Sequence, residues 1–297
     1  MNLFPINMIV INKFKILWSA FMGYGYKLLV DIGLLRVPEL KGACDVIVSL
    51  TSYGRRVSDC VIYYTLVSLL RQKLQPSRII LWLAQDEWSD ETLPKKLLNM
   101  KKKGIEICYC KDYRSYKKLI PTLAIYPDKN IVTVDDDIIY NPSMILKMWE
   151  VHKKYSNVII CMSALKPILK DGIPQYYQRW QHYENNAFGF NDIFPVGCGG
   201  IFYPKGALHR DVLCENLFTS LCPMADDIWF WFCGLLNGTK KNYIRKDYLD
   251  YSFDIIYQYF HKGSALTHSN RFENENDKQF YNLFTYYNTK LDKTIVR

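Results

Sequence analysis

An alternation of short, β-branched apolar runs with segments of helical character constrains this chain more than any other feature. Apolar positions recur at helical spacing in residues 58–72, and Gly104 closes a second helical segment. Strands that alternate with helices in this way predict an α/β domain, a parallel sheet with helices on both faces. The predicted strands cover residues 45–50, 78–84, 105–110 and 130–134, and the predicted helices cover 58–72, 91–103, 113–120 and 142–155.

Polar residues follow the predicted strands at one edge of this sheet. Thr51 and Ser52 come after the first strand, Asp112 comes after the third, and Asp135–Asp137 comes after the fourth. In open α/β sheets, ligands bind beyond the carboxyl ends of the strands. We therefore expect these residues to surround one crevice and to bind a nucleotide there.

The run Asp135–Asp137, called the acidic triplet below, is the strongest candidate for a binding site. Three adjacent carboxylates repel one another unless a cation neutralises them. On an extended chain Asp135 and Asp137 point to the same side, roughly 7 Å apart, where they can share a divalent ion, Mg²⁺ or Mn²⁺. Asp135 and Asp136 are also predicted to contact the bound nucleotide. An acidic surface turn is the alternative, and the apolar residues on either side count against it.

A second acidic run, Asp226–Asp227, begins an apolar helix predicted to end near Leu236. We call it the acidic pair. Acids in the first turn of a helix are ordinary partners of its N-terminus. A carboxylate beside aromatic surface can also have a raised pKa and act as a base toward an acceptor hydroxyl. Both interpretations stay open, and the acidic triplet upstream favours the catalytic one.

Five basic residues follow the first and third predicted strands, where they can contact diphosphate oxygens. Arg55 and Lys118 are the predicted donor contacts, and a solvated surface charge is the alternative for each. His268, in the polar stretch 267–271, is the predicted imidazole ligand of the metal, with a solvated loop histidine as the alternative. The other three basic residues are Arg56, Arg114 and Lys117.

Residues 161–206 are rich in aromatic residues and glycine. Glycine permits a close approach of the backbone to a sugar, although a structural bulge explains the same glycines equally well. This composition predicts that the second half of the domain binds the acceptor. The predicted acceptor contacts are Trp180, Gly199, Gly200 and Trp229.

Four segments together resemble bacterial glycosyltransferases of the GT-A fold, of the family 2 type that often decorates lipopolysaccharide or capsule. They are Val48–Arg56, Val134–Ile138, Gly197–Gly200 and Ala225–Trp229. The resemblance covers about residues 43–278. It implies a single GT-A-like domain with a mostly parallel central sheet flanked by helices.

The resemblance also implies roles for individual residues. The metal-binding aspartate motif of the family falls on the acidic triplet, and a C-terminal histidine ligand would be His268. The catalytic-base motif, usually Glu-Asp, falls on the acidic pair, where the departure to Asp-Asp leaves two candidates. Position in the motif favours Asp227 over Asp226.

The implied reaction is a metal-dependent, inverting transfer of a sugar from a nucleoside diphosphate, expected to be UDP, to a glycan or a lipid-linked acceptor. Retention of configuration stays open, because both classes share the fold. The domain would divide into a nucleotide half at 43–140 and an acceptor half at 141–278. A tail would follow at 279–297.

The first 42 residues differ in character from the rest. Their apolar runs are interrupted by Lys13, Lys15 and Lys27, so no stretch reaches the roughly 18–20 apolar residues of a membrane-spanning helix. They predict an amphipathic helical segment. It either packs on the domain or lies on an anionic membrane surface, to which the net charge of +9 also points.

The chain has nine cysteines and no Cys-x-x-Cys motif. An odd number cannot pair completely within the chain, so we predict free thiols in a reducing compartment. We therefore expect a cytoplasmic protein, peripheral on the cytoplasmic face of the inner membrane if the N-terminal segment binds lipid.

Two other classes of protein compete with this interpretation. A metal-dependent nucleotidyltransferase is also α/β and acidic, but it usually carries a Gly-rich loop after its first strand, and Thr51–Gly54 has a single glycine. A non-catalytic basic protein of the membrane surface or of nucleic acid would show a dense Lys/Arg stripe interleaved with aromatics. No strong stripe of this kind occurs, so nucleic acid is not an expected partner.

Overall fold

The computed structural model describes residues 18–19, 21–189, 192–245, 253–254, 275–289 and 291. Its centre is an eight-stranded mixed sheet in which parallel pairs outnumber antiparallel ones. Helices flank the sheet, so the predicted α/β class with a mostly parallel central sheet is confirmed.

The strands and helices are numbered here in chain order. The strands are β1 Cys44–Thr51, β2 Pro76–Ala84, β3 Ile105–Cys110, β4 Asn130–Thr133, β5 Ile138–Ile139, β6 Val158–Cys161, β7 Ala164–Lys166, β8 Ile168–Lys170, β9 Ile173–Gln175, β10 Gln181–His182, β11 Ala187–Gly189, β12 Phe194–Pro195, β13 Ile201–Tyr203, β14 Lys240–Tyr243 and β15 Phe253–Asp254. The helices are α1 at residues 21–31, α2 Gly54–Ser58, α3 Val61–Leu70, α4 Lys95–Leu98, α5 Ile120–Ile125, α6 Met144–Lys154, α7 Glu215–Leu221, α8 Asp226–Leu236 and α9 Glu275–Tyr286.

The central sheet has the strand order β11-β14-β6-β13-β4-β1-β2-β3. Strands β1 to β4 are parallel, with Val48 between Ile79 and Val132. These three side chains are fully buried, as expected for a sheet covered on both faces. Their carboxyl ends therefore meet at one edge of the sheet.

An antiparallel strand brings a later part of the chain to this edge. β13 lies between β4 and β6 and runs antiparallel to both, with Ile201 opposite Thr133. Because β13 begins where β4 ends, the 3₁₀ turn Gly197–Gly199 that precedes it lies beside the acidic triplet. This insertion joins the two predicted halves in one sheet.

Three predicted helices differ from those observed. The segment at 58–72 is interrupted before α3, because Cys60 adopts a left-handed conformation with φ of 56° and offers no side-chain cap. The segment at 91–103 is helical only from Lys95, after Pro94, and continues as a 3₁₀ turn, although Gly104 ends it as predicted. The segment at 113–120 is a 3₁₀ turn, Arg114–Lys118, and α5 follows it.

The predicted domain boundary at residue 278 is wrong. Helix α9 crosses it, and Phe280, Leu283 and Phe284 are fully buried in the same cluster as Trp231 and Phe232 of α8. A chain segment that supplies core side chains belongs to the domain. The residues at 279–289 and 291 are therefore part of it rather than a tail.

The N-terminal segment is helical at residues 21–31, as predicted, and α1 packs against the domain through the buried Val30 and the partly buried Tyr26. In the described part of the chain, no helix has both the length and the hydropathy to cross a membrane. All nine cysteines lie in described ranges and none forms a disulfide, so the prediction of free thiols is confirmed.

Candidate active site

The acidic triplet forms a turn rather than an extension of β4. The strand ends at Thr133, and positions 136 and 137 turn into β5. The backbone N–H of Asp135 donates to the Tyr140 hydroxyl at 2.8 Å, and the Thr65 hydroxyl donates to the carbonyl of Asp136 at 2.9 Å. The expectation that Asp135 and Asp137 lie side by side on an extended chain is therefore wrong: Asp135 pairs with Lys118, whereas Asp136 and Asp137 share Arg56.

Arg56 of α2 binds two of these carboxylates. Its guanidinium contacts Asp136, and its Nη2 lies 3.2 Å from Asp137 Oδ2. The Ser52 hydroxyl donates to the second oxygen of Asp136 at 2.5 Å. Burial raises the pKa of Asp136, although Arg56 and Ser52 act in the opposite direction. This buried network stabilises the turn.

Lys118 connects the acidic triplet with the acidic pair. It ends the 3₁₀ turn after β3, and its Nζ lies 3.1 Å from Asp135 Oδ1, 2.9 Å from Asp226 Oδ2 and 4.0 Å from Asp227 Oδ1. Burial lowers the pKa of Lys118, but the three carboxylates outweigh it and hold that pKa well above its ordinary value. Lys118 is therefore a charged ammonium shared by three carboxylates. One of them, Asp135, belongs to the triplet, and the other two form the pair about 90 residues later in the sequence.

Gly197 faces the space that these groups enclose. Its N–H donates to Asp227 Oδ2 at 3.0 Å. A Cβ atom at this position would lie 3.1 Å from both Asp227 Oδ1 and Lys118 Nζ, and 3.3 Å from Asp135 Oδ1. The missing side chain thus leaves a small space lined by two carboxylates and an ammonium, which a Cβ atom would fill completely.

The pKa of the Asp227 carboxyl is raised. Burial raises its pKa most strongly; Lys118 opposes this, Asp226 and Asp135 add to the rise, and the pKa reaches about 7. The Asp227 side chain is 26% exposed and that of Asp226 is 10% exposed, so Asp227 is the more accessible carboxylate. Neither is the N-cap of α8, which is Ala225.

Other predicted nucleotide contacts have local partners. Arg55 is exposed and pairs with Asp59, whereas its neighbour Arg56 faces the site. The Thr51 hydroxyl donates to the carbonyl of Trp82 at 2.8 Å. Asp112 accepts from Lys117 and from the N–H of Arg114, at the end of β3. Their roles in binding stay predictions.

The predicted acceptor contacts are core residues. Trp229 is fully buried and donates to the carbonyl of Val212, and Trp180 is buried against Phe194. Gly199 is required by packing, because a Cβ atom there would lie 2.6 Å from the backbone nitrogen of Ser163. Gly200 has φ of 83°, which favours glycine. Trp229 and Trp180 therefore have a structural role instead of the predicted acceptor contact, and an acceptor role of Gly199 and Gly200 stays a prediction. His268 lies outside the described residues.

The carboxylates of the site fit a divalent cation only in part. Five carboxylates in the triplet and the pair face the two positive charges of Arg56 and Lys118. An additional cation would therefore be attracted, and carboxylate oxygens suit Mg²⁺ or Mn²⁺. Asp137 is engaged by Arg56, however, and within the described ranges no group of three or more His, Cys, Asp or Glu side chains is arranged to hold a metal. Asp135, which is only partly buried, is the carboxylate that fits.

The sequence contained weak signals for the residues that were missed. Arg56 adjoins Arg55 in the sequence. The short helix α2 points the two side chains to different sides, and the sequence does not show which of them faces the site. Gly197 belongs to the same glycine-rich run as Gly199 and Gly200. Only the folded structure shows that Gly197 is the glycine that faces the carboxylates.

Gly197→Ala tests whether this space is used. The added methyl group would not strain the backbone, because φ at Gly197 is not positive, but the neighbouring carboxylates and ammonium would have to shift by a few tenths of an ångström. If the site is catalytic, we expect turnover to fall by up to about 10²-fold, since displacing catalytic groups has that effect, while the protein stays folded. Gly25→Ala is the matched control, because a Cβ atom there meets nothing within 4 Å. Equal loss in both variants, or in neither, would show that the space has no function.

No protein-family model matches this chain, and no curated protein matches it. It is similar to a crystal structure of S. aureus TarS 1-349, with 15% identity, 82% of this chain and 72% of that chain covered, and a TM-score of 0.47. A crystal structure of S. aureus TarS 1-349 in complex with UDP gives 16% identity, coverage of 69% and 61%, and a TM-score of 0.44. The chain spans 37% of the longer TarS structure.

The chain is also similar to 4-diphosphocytidyl-2C-methyl-D-erythritol synthase, with 10% identity, coverage of 75% and 97%, and a TM-score of 0.43. Identities and TM-scores at this level assign neither family nor activity.

Proposed function

We propose that this chain is a GT-A-like glycosyltransferase that moves a sugar from a nucleoside diphosphate, UDP in the first instance, to a hydroxyl of a glycan or a lipid-linked acceptor. One observation supports it most: the Lys118 ammonium lies between the acidic triplet and Asp227, beside the space at Gly197. An inverting transferase needs a carboxylate base for the acceptor hydroxyl and a positive charge for the anionic leaving group, and this site offers both.

The donor would bind at the carboxyl ends of β1 to β4. Lys118 would lie beside its diphosphate, and Arg56 would hold the turn that presents Asp135. A divalent ion held by Asp135 and the donor would supply further positive charge against the diphosphate. Five carboxylates against two cations support that part of the proposal.

Asp227 would accept the proton of the acceptor hydroxyl. The acceptor oxygen forms a bond to the anomeric carbon from the side opposite to the diphosphate. The bond from that carbon to the phosphate oxygen breaks, and its electron pair leaves with the nucleoside diphosphate. This course inverts the configuration at the anomeric carbon. The Gly197 N–H, which donates to Asp227, orients the base.

The reaction class is tested by measuring two products from the same purified protein. We expect release of nucleoside diphosphate from at least one member of a panel of sugar nucleotides, increased by Mn²⁺. A nucleotidyltransferase would instead release pyrophosphate from a nucleoside triphosphate and a sugar phosphate. Pyrophosphate release without any nucleoside diphosphate release would refute the proposed transfer.

Calorimetry of UDP binding in Mn²⁺ separates the carboxylates of the triplet. We expect Asp135→Asn to weaken UDP binding by about tenfold or more, ~1.4 kcal/mol, because it removes the carboxylate proposed for the ion. Asp137→Asn is the matched control, since Asp137 pairs with Arg56, and its affinity should change little. The reverse order would assign the ion to Asp137 rather than Asp135, and equal losses would return it to both carboxylates, as the sequence predicts.

A further inference from the structure

Helix α1 (residues 21–31) has two apolar faces. One face packs on the domain through Gly23, Tyr26 and Val30, and Tyr26 and Val30 belong to the same hydrophobic cluster as α3. A helix on a protein surface normally has one apolar stripe and a polar opposite face. The face of α1 opposite the domain therefore requires an explanation.

That outer face is apolar and exposed. At 100° per residue, Phe21, Leu28 and Ile32 lie within about 40° of one another and opposite Val30; Phe21 is 69% exposed and Leu28 is 60% exposed. Seven of the sixteen exposed large hydrophobic residues in the described chain fall between positions 18 and 34. The outer face comprises Trp18, Phe21, Tyr24, Leu28, Leu29 and Ile32, with Leu34 just beyond it.

Positive charge accompanies this face. The first 36 residues contain Lys13, Lys15, Lys27 and Arg36 against a single acid, Asp31. In the structure Asp31 is paired with Lys96 of α4, 2.9 Å away, so its charge is already matched. The segment therefore carries a net positive charge in its sequence, and its helix has an exposed apolar face; this combination suits anionic headgroups above hydrocarbon.

We propose that the outer face of α1 docks on an anionic phospholipid surface, with the helix lying in the plane of the membrane interface. Trp18 and Tyr24 are of the residue types that prefer this interface. A second copy of the chain is the rival occupant. Its self-contact would bring two sets of like charges together, whereas anionic lipids would neutralise them.

Flotation of the full chain with lipid vesicles tests this docking. We expect binding to vesicles of phosphatidylcholine and phosphatidylglycerol, and little binding to phosphatidylcholine alone. The double variant Phe21→Ser, Leu28→Ser should lose roughly tenfold or more of the bound fraction. The matched control is Tyr281→Ser, Tyr286→Ser on α9, whose side chains are 57% and 58% exposed. It should float like the unaltered protein.

Three results would overturn the proposal. They are equal flotation of the double variant and the control, equal flotation with neutral and anionic vesicles, and light scattering that shows a dimer for the unaltered chain but a monomer for the double variant. The third result would assign the face to a second copy. Release of nucleoside diphosphate in solution should be the same in all variants, so this test is independent of the proposed activity.

Discussion

Lys118→Met is expected to lower transfer by at least 10²-fold and the free energy of unfolding by about 3–5 kcal/mol. The first effect follows from removal of the positive charge proposed for the leaving group. The second is the usual result of removing one partner of a buried ion pair, because Asp226 stays buried without its cation. Asp135 and Asp227 would then also face each other without the ammonium between them.

Lys117→Met provides the matched control for this variant. Lys117 precedes Lys118 in the same 3₁₀ turn and its side chain is equally buried, but its partner Asp112 is largely exposed. We expect a smaller loss of stability and nearly normal transfer. Denaturant unfolding and release of nucleoside diphosphate measure the two effects, and equal losses in the two variants would show that Lys118 acts only as a buried lysine.

A double variant separates folding from catalysis. Lys118→Met combined with Asp226→Asn removes both members of the buried pair, so part of the lost stability should return. Transfer should not return, because the cation is still absent. Recovery of transfer in this double variant would contradict the role given to Lys118.

The sheet was predictable because each of its long strands can be recognised from its own local sequence. Buried parallel strands such as β1 and β2 are continuous apolar runs, and the chain alternates them with helices. The edge where ligands bind follows from this alternation alone. The acidic triplet was found for the same reason, since it directly follows an apolar strand.

The partners of the site residues were not predictable, because they depend on contacts between distant parts of the chain. Lys118 meets Asp226 only because β13 inserts antiparallel beside β4, a choice of strand order that no local pattern encodes. The burial of Trp229 in the core was not predictable for a related reason. An aromatic residue in a helix that is apolar on all sides gives no sign of which neighbours cover it.

Asp227→Asn is expected to lower transfer by about 10²–10⁴-fold and to leave donor binding nearly unchanged. An amide of the same shape can still accept the Gly197 N–H, but it cannot take the proton of the acceptor. Calorimetry of UDP binding beside a transfer assay measures the two properties on one preparation. A large loss of UDP affinity would move Asp227 to the donor side.

The pH dependence gives a second measure of the same role. Because the pKa of Asp227 is about 7, the carboxylate is protonated below that pH and cannot act as a base. We expect kcat/KM to rise about tenfold per pH unit up to that pH and then to level off. Lys118 lowers the pKa of Asp227, so in Lys118→Met the rise should move to higher pH.

Asp226→Asn distinguishes the two members of the acidic pair. Asp226 is nearly buried against Lys118, so its loss of charge should lower stability by about 1–3 kcal/mol while most of the transfer rate remains. Asp227 is more exposed and borders the space at Gly197, so its variant should stay stable and lose transfer. If Asp226→Asn abolishes transfer and Asp227→Asn does not, the two roles are reversed. If both variants transfer normally, the base is another group, and the inverting course proposed here is wrong.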